Sequence, residues 1–333
     1  MESNIVNKMI EPDVKLGTVD ERREIAQQLC SGSFDVFKQI INNMSKRYTP
    51  EYLEQLGKTA YDDDRNYPEN FSNWYNHIVD FGVFSHAEII ANQIFTYEET
   101  KVLEQSDVYD KVDWKSIEKI LEPTLEKMQP YTTYNIKNGC FSNKFDFNTS
   151  LATKKDLAQQ LWKINYASSM LDTGGHSELV VRELIPYNPI ETPTIYNGMP
   201  LREEIRVFYN MDKNILEYTE DYWKYKYCSP YIKNMTDKII FDWFHNKLKT
   251  RNIQHRELMS KLADRVYNDI HTLKFDGELK GIWSIDFMYD IDTDKLYLID
   301  MARGTRSAYW NVDKLTYSTR KEFIERCRAN ATK

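Results

Sequence analysis

The chain has 333 residues and a formal net charge of −7, with 41% hydrophobic and 29% charged residues, which allows two domains or one large lobed one with a real core. That composition is ordinary for a soluble globular protein. The acidic balance, with no strongly basic window, argues against a broad electrostatic grip on nucleic acid or an anionic membrane, but leaves phosphate binding by a few placed lysines and arginines open.

Asp20 is placed to cap a helix running to Met44, with Ile25, Leu29, Phe34, Phe37, Ile40 and Ile41 on one face. A second helix is expected over Pro50–Leu56, and Tyr61–Glu69, with Asp62, Asp63 and Asp64 in a row, reads as a solvated loop. Apolar residues are then dense from Ile78 to Ile94 but interrupted by Gly82, and Trp114–Met128 is an amphipathic helix closed by Pro130. Past Pro130 the pattern changes. Tyr131–Lys137 alternates as a strand and opens on the loop Asn138–Gly139, Leu151–Leu171 returns to helix, and Glu178–Ile185 is a buried strand stopped by Pro186. A proline-rich linker to Pro200 leads into Glu204–Tyr209 and Asn214–Tyr218, a hairpin across Met211–Lys213. Helix resumes from about Asp237 to Thr272, and Gly281–Tyr289 with Leu296–Asp300 forms a second hairpin across Asp290–Lys295. The class is α+β with a mainly antiparallel sheet, divided into a helix-rich region over 1–128 and a second domain over 129–333.

Neither a signal core nor an Arg-rich amphipathic leader opens the chain, and no stretch approaches the roughly 18–20 apolar residues of a membrane span. Four scattered cysteines without a Cys-x-x-Cys fit a reducing compartment, so the expectation is a cytoplasmic protein. The six histidines show no metal-ligand spacing.

Chemistry concentrates after Pro130. Asp286 and Asp300 each end an apolar strand run on paired strands, where a carboxylate is costly unless it is paired, hydrogen-bonded or on a metal. Two such acids suit one Mg²⁺; for either alone, capping a strand end is the simpler role. Lys137 ends a strand at a Gly-containing loop and Lys144 follows in it, which suits ammonium groups reaching phosphates beneath loop N–H groups. Arg182 and Glu183 interrupt an apolar strand that runs through Leu184 and Ile185 into the linker, where backbone groups can meet an adenine edge. Arg206 needs an anion, either phosphate or a carboxylate among Glu183, Glu203 and Glu204. Arg303 and Arg306 are open to phosphate, to a carboxylate substrate or to solvent.

The order Lys strand, helix, Arg-Glu strand, Glu-x-Arg strand and two Asp strands resembles the ATP-grasp fold. Within it the chain resembles the cell division cycle protein 123 family and its bacterial and viral relatives, grouped by a lysine and two arginines that Lys137, Arg182 and Arg206 match. EEIRVFY resembles that family's Glu-Phe-Arg strand and YLIDMARG its metal-binding segment. FSNKFDF resembles its Ser-x-Lys/Arg-Asp loop, at Ser142, Lys144 and Asp146, and NFSNWYNHI its Trp-Tyr segment, at Trp74 and Tyr75. Ala302 departs from the pattern, standing where an asparagine usually joins the metal site.

The resemblance implies a two-lobed clamp, with a smaller lobe at about 129–185 and a larger one at about 186–333. ATP would bind through Lys137, Ser142, Lys144, Arg182, Glu183, Leu184, Ile185 and Arg206, with Mg²⁺ on Asp286 and Asp300. It further implies a ligase that joins a small-molecule or peptide carboxylate to an amine through an acyl phosphate, with Arg206, Lys144 and Arg303 in catalytic roles. The alternatives are an ATP-binding assembly chaperone for a protein client such as a translation factor, or a phosphotransferase. A client could meet the aromatic stretch Tyr218–Tyr231, whose other reading is packing under the sheet.

Overall fold

The computed structural model describes residues 49–331 except Asp107, Asp172 and Lys247, and their side chains except at 246–254 and 326–331. The helix expected from Asp20 to Met44 lies outside the described residues. The chain divides into two compact units, Met1–Asp63 and Asp64–Lys333. Helix α1 (Pro50–Arg65) is the described part of the first and runs two residues past the boundary. It starts where Thr49 accepts the Tyr52 N–H at 3.2 Å and Pro50 supplies a preset φ at the first helical position. It is longer than expected, and the aspartates read as a loop lie on its last turns. Asp64 is no solvated acid: its carboxylate accepts the N–H groups of Gly175 and Ser177, the latter at 2.9 Å.

The second unit continues with α2 (Phe71–Tyr75), β1 (Ile78–Asp80), β2 (Ser85–His86), β3 (Ile89–Ile94), α3 (Tyr97–Leu103), α4 (Trp114–Leu125), β4 (Tyr134–Asn138), β5 (Leu151–Ala152), α5 (Leu157–Met170) and β6 (Glu178–Glu183). After it come β7 (Thr194–Ile195), β8 (Met199–Pro200), β9 (Glu204–Asn210), β10 (Ile215–Asp221), α6 (Tyr225–Cys228), α7 (Met235–Asn246) and α8 (Leu248–Asp269). The last elements are β11 (Lys274–Phe275), β12 (Ile282–Asp290), β13 (Lys295–Arg303) and α9 (Tyr317–Ala331). Two mainly antiparallel sheets organise this mixed α+β unit: a five-stranded one ordered β10-β9-β12-β13-β2 and a four-stranded one ordered β3-β6-β4-β5. Only β13–β2 is parallel in the larger sheet. The segment Ile78–Ile94, expected within a helix-rich region, supplies β2 to the larger sheet and β3 to the smaller.

Period-two alternation sorts the side chains of each sheet. In the larger sheet Ile205, Val207 and Tyr209 of β9, with Trp283, Ile285 and Phe287 of β12, pack on Leu262 and Val266 of α8 and on Trp74 of α2. The alternate positions, Glu204, Arg206, Ser284, Asp286 and Met288, therefore share the opposite face. In the smaller sheet Tyr134 and Ile136 of β4, with Leu179 and Val181 of β6, pack on Ile117 and Leu121 of α4 and on Leu161 and Ile164 of α5. This leaves Asn135, Lys137 and Arg182 on the other face. Both central hairpins match expectation. Their turns, Met211–Asn214 and Ile291–Asp294, each end on a residue with positive φ, Asn214 at 55° and Asp294 at 54°, which Asn and Asp tolerate best among non-glycine residues.

The β12–β13 ladder carries a bulge: Phe287 opposes Leu298, whereas Asp286 opposes Asp300, so Ile299 is the extra residue. Without it Asp300 would fall on the face packed against α8.

Candidate functional site

Strand register lines up four ionisable side chains across the larger sheet. Glu220 pairs with Arg206, Arg206 with Asp286, and Asp286 with Asp300. Facing carboxylates repel unless each has a cation. Arg206 grips Asp286 with two bonds, Nε–Oδ1 and Nη2–Oδ2, both 2.7 Å, and its Nη1 donates to Ala308 O at 3.2 Å. Both side chains are more than nine-tenths buried. Burial alone would favour the neutral guanidine, but the Asp286 carboxylate holds the Arg206 pKa above its ordinary value. Glu220, 5% exposed, accepts from Lys224 and Lys314, one on each oxygen.

The cation for Asp300 comes from the smaller sheet. Lys137 is 1% exposed and donates to Asp300 Oδ1 at 3.0 Å, an oxygen that also takes the Met301 N–H. Burial would raise the Asp300 pKa, yet Lys137 holds it below the ordinary value, with help from Arg182. Arg182, paired in register with Asn135, donates from Nε to Asn135 Oδ1 at 2.8 Å and from Nη1 to the bulge carbonyl Ile299 O at 2.7 Å. The expected lysine and arginines thus meet the expected aspartates in one cleft between the sheets. The partner of Arg206 is Asp286, not the nearby Glu183, Glu203 or Glu204.

Lys144 reaches the same face from the loop after β4. Its ammonium donates to the Tyr222 hydroxyl and lies 4.5 Å from that ring's centroid, and Arg206 lies 4.8 Å from it. Burial pushes the Tyr222 phenol up, so it stays neutral beside two cations. Glu204 shares this wall; burial pushes its pKa up to about 7 against the pull of Lys144.

A cavity of about 130 Å³ lies at this cleft, with Arg182, Glu183, Leu184 and Ile185 on one wall and Met199, Met288 and Ile299 among its apolar lining. Ser142, Lys144 and Glu204 add polar groups. It lies below the roughly 300–1,000 Å³ of pockets that enclose a whole drug-sized ligand, so it would take one ring and leave the rest in the open cleft. A second cavity of about 510 Å³ shares Lys144 and Trp223 with it and adds Tyr222, Tyr227 and Tyr309.

Three expectations change. Three N–H groups of the loop after β4 are engaged within the protein and are not on offer to phosphates: Asn138 N bonds Phe141 O at 3.1 Å, Gly139 N bonds Gly175 O at 2.8 Å and Phe141 N bonds Asn138 Oδ1 at 2.9 Å. Its glycine is required sterically, because a Cβ there would sit 2.3 Å from Asn70 Oδ1. Arg303 lines neither cavity; it projects from the opposite face to Glu69, 3.7 Å away, while Arg306 stacks over Tyr67. The stretch Tyr218–Tyr231 is split between buried Tyr218 and Trp223, exposed Tyr227 and Tyr231, and cavity walls. Sequence reasoning missed Tyr222 as the bridge between Lys144 and Arg206, Glu220 as the end of the row, and Asn135 as the partner of Arg182.

Asp286 and Asp300 are a carboxylate pair of the kind that can hold Mg²⁺ together with waters and phosphate oxygens. Both Asp286 oxygens are engaged by Arg206 and one Asp300 oxygen by Lys137, so a metal would have to displace these cations. Lys137 already marks a cation position against Asp300. No group of three metal-ligating side chains occurs among the described residues, nor any helix long and apolar enough to cross a membrane.

No protein-family model matches the chain, and no curated protein does. Among solved structures it is similar to that of Cdc123 from Schizosaccharomyces pombe, at 13% identity and a TM-score of 0.38, covering 75% of this chain and 88% of that one. For the C-terminally truncated form of that protein the identity is 14% and the TM-score 0.39, covering 72% of this chain and 85% of that one. Overlap at this level leaves fold and site to rest on the geometry above.

Proposed function

We propose that the protein binds Mg²⁺–ATP in the cleft between the two sheets and uses it to join a carboxylate to an amine or similar nucleophile. What supports this reading is one juxtaposition: a ring-sized cavity at the end of β6 opens beside the row Arg206–Asp286–Asp300, with Lys137 and Lys144 converging on it. The base would enter between Leu184, Ile185 and the apolar side chains of Met288 and Ile299. Lys137, Lys144 and Arg206 would then carry positive charge to the phosphates, while Asp286 and Asp300 would hold the metal. Bound there, the metal would supply charge neutralisation for the phosphate oxygens, and on this reading the terminal phosphoryl group would leave ADP for the substrate carboxylate, giving an acyl phosphate. Attack by the amine would release phosphate. Tyr222 positions Lys144 throughout, staying a neutral acceptor.

The test is calorimetric titration of ATP with and without Mg²⁺ into wild type, Asp300→Asn and Asp286→Asn. Both variants should lose the Mg²⁺-dependent part of the affinity; unchanged affinity in both would remove the metal assignment. A second reading keeps the nucleotide and replaces the acceptor with a protein client. Exposed Met235 and Ile239, one turn apart on α7, and exposed Tyr231 beside the larger cavity favour it. ADP release that requires a small acceptor supports the ligase, and tight ATP binding without turnover supports the client.

A further inference from the structure

The larger cavity has a chemistry of its own. At about 510 Å³ it falls in the size range of small-molecule sites. Its walls are phenol rings set edge to face: Tyr227 meets Tyr309 at 5.4 Å and 72°, and Tyr222 meets Tyr309 at 6.4 Å and 80°. The Tyr309 hydroxyl is fixed by donating to Tyr222 O at 2.6 Å, so these rings are held for stacking and edge contacts with another planar group. Its charged groups are unbalanced. Lys224 and Lys314 both end on Glu220, so one buried carboxylate answers two ammonium groups. Lys224 also lies 5.9 Å from the Tyr227 ring and 5.7 Å from that of Tyr309. Burial and the neighbouring Lys314 depress the Lys224 pKa, as expected of a cation short of counter-charge. With Lys144 also on its wall, the cavity sets three ammonium groups against one carboxylate, so a surplus of positive charge faces its aromatic rings and suits a planar anion.

We propose that this cavity binds a small aromatic carboxylic acid, its ring among Tyr222, Tyr227 and Tyr309 and its carboxylate on Lys224 and Lys314. The cavity adjoins the cleft through Lys144, so such an acid is placed as the carboxylate to be activated. That role rests on the nucleotide reading, but the binding itself does not.

The experiment is titration of 1-naphthoate into nucleotide-free protein, followed by tyrosine and tryptophan fluorescence and by calorimetry, with 1-naphthamide and 1-naphthyl phosphate as controls. Naphthoate should bind more tightly than the neutral amide. Lys224→Met should weaken naphthoate by about tenfold, the loss of one charge-assisted bond, and leave the amide and ATP affinities unchanged. Glu220→Gln removes the internal competitor for both lysines and should tighten naphthoate. Equal affinity for acid and amide, no change in Lys224→Met, or tighter binding of the phosphate overturns the proposal. Loss of ATP binding with naphthoate binding intact would refute the nucleotide reading alone.

Discussion

Replacing Arg206 with methionine tests whether the charged row is an electrostatic unit. Arg206 and Asp286 are 9% and 8% exposed and joined by two bonds of 2.7 Å. Methionine keeps much of the stem but strands a buried carboxylate without a counter-charge. Breaking a buried pair in this way costs about 3–5 kcal/mol, against a total stability of about 5–15 kcal/mol for a typical domain. At about 2 °C per kcal/mol for a unit of this size, the melting temperature should fall by about 6–10 °C. The double variant Arg206→Met/Asp286→Leu removes both charges and should recover most of the loss. Millimolar Mg²⁺ should raise the melting temperature of Arg206→Met more than that of wild type, because the freed carboxylate gains a cation that binds the folded state. Calorimetric melts of wild type and the two variants, each with and without Mg²⁺, suffice. A double variant as unstable as the single one would show that the loss is one of packing, and an absent Mg²⁺ effect would count against Asp286 as a ligand.

Two further predictions concern protons. His255 lies 3.3 Å from Asp221 and 3.8 Å from Glu203; burial opposes its charge, but these carboxylates hold its pKa up at about 9. The folded state therefore binds the proton more tightly than the unfolded chain, so its stabilisation is complete below the unfolded value of 6.5 and is lost as pH rises through about 9. His255→Gln should flatten the fall of melting temperature across that window, and an unchanged slope would exclude His255 as its source. Glu178 is fully buried, with Oε1 accepting the Ser72 N–H at 2.9 Å and Oε2 unpartnered, and burial pushes its pKa up. A raised acid pKa costs stability as pH climbs above 4.5. Glu178→Gln should thus equal or exceed wild type in melting temperature at neutral pH, its amide able to donate to the unpartnered Asn70 Oδ1 in the same space beside Gly139. A clear loss at neutral pH would show that the ionised carboxylate is needed.

Much of the fold after Pro130 was legible because its strands alternate cleanly and their turns carry Asn214 and Asp294 where the backbone needs them. The helix α4 and the strands bearing Lys137, Arg182, Arg206, Asp286 and Asp300 follow from local pattern alone. Pairing partners do not. Acids next to Arg206 in sequence looked like its counter-charges, whereas cross-strand register delivers Asp286 instead. The strands between Ile78 and Ile94 are two to six residues long, too short for a period to declare itself; β2 and β3 are set by the edges that β13 and β6 offer, and β1 by pairing with the two-residue β11. The three aspartates after Tyr61 read as solvated because nothing local shows the turn at Gly175 that one of them holds. Cavities lined by residues from Asn135 to Lys314 have no sequence signature at all.

The extra residue in β13 also has a mechanical side. Ile299 offers a backbone oxygen to Arg182, and the next residue offers a carboxylate to Lys137, so the smaller sheet is tied to the larger at two adjacent points of unlike kind. A metal can compete for the carboxylate, but it cannot displace the amide oxygen on the same terms. Drawing Asp300 away from Lys137 would therefore release one tie and leave the Arg182 bond in place, beside Val180 of β6, which packs into the core of the larger sheet.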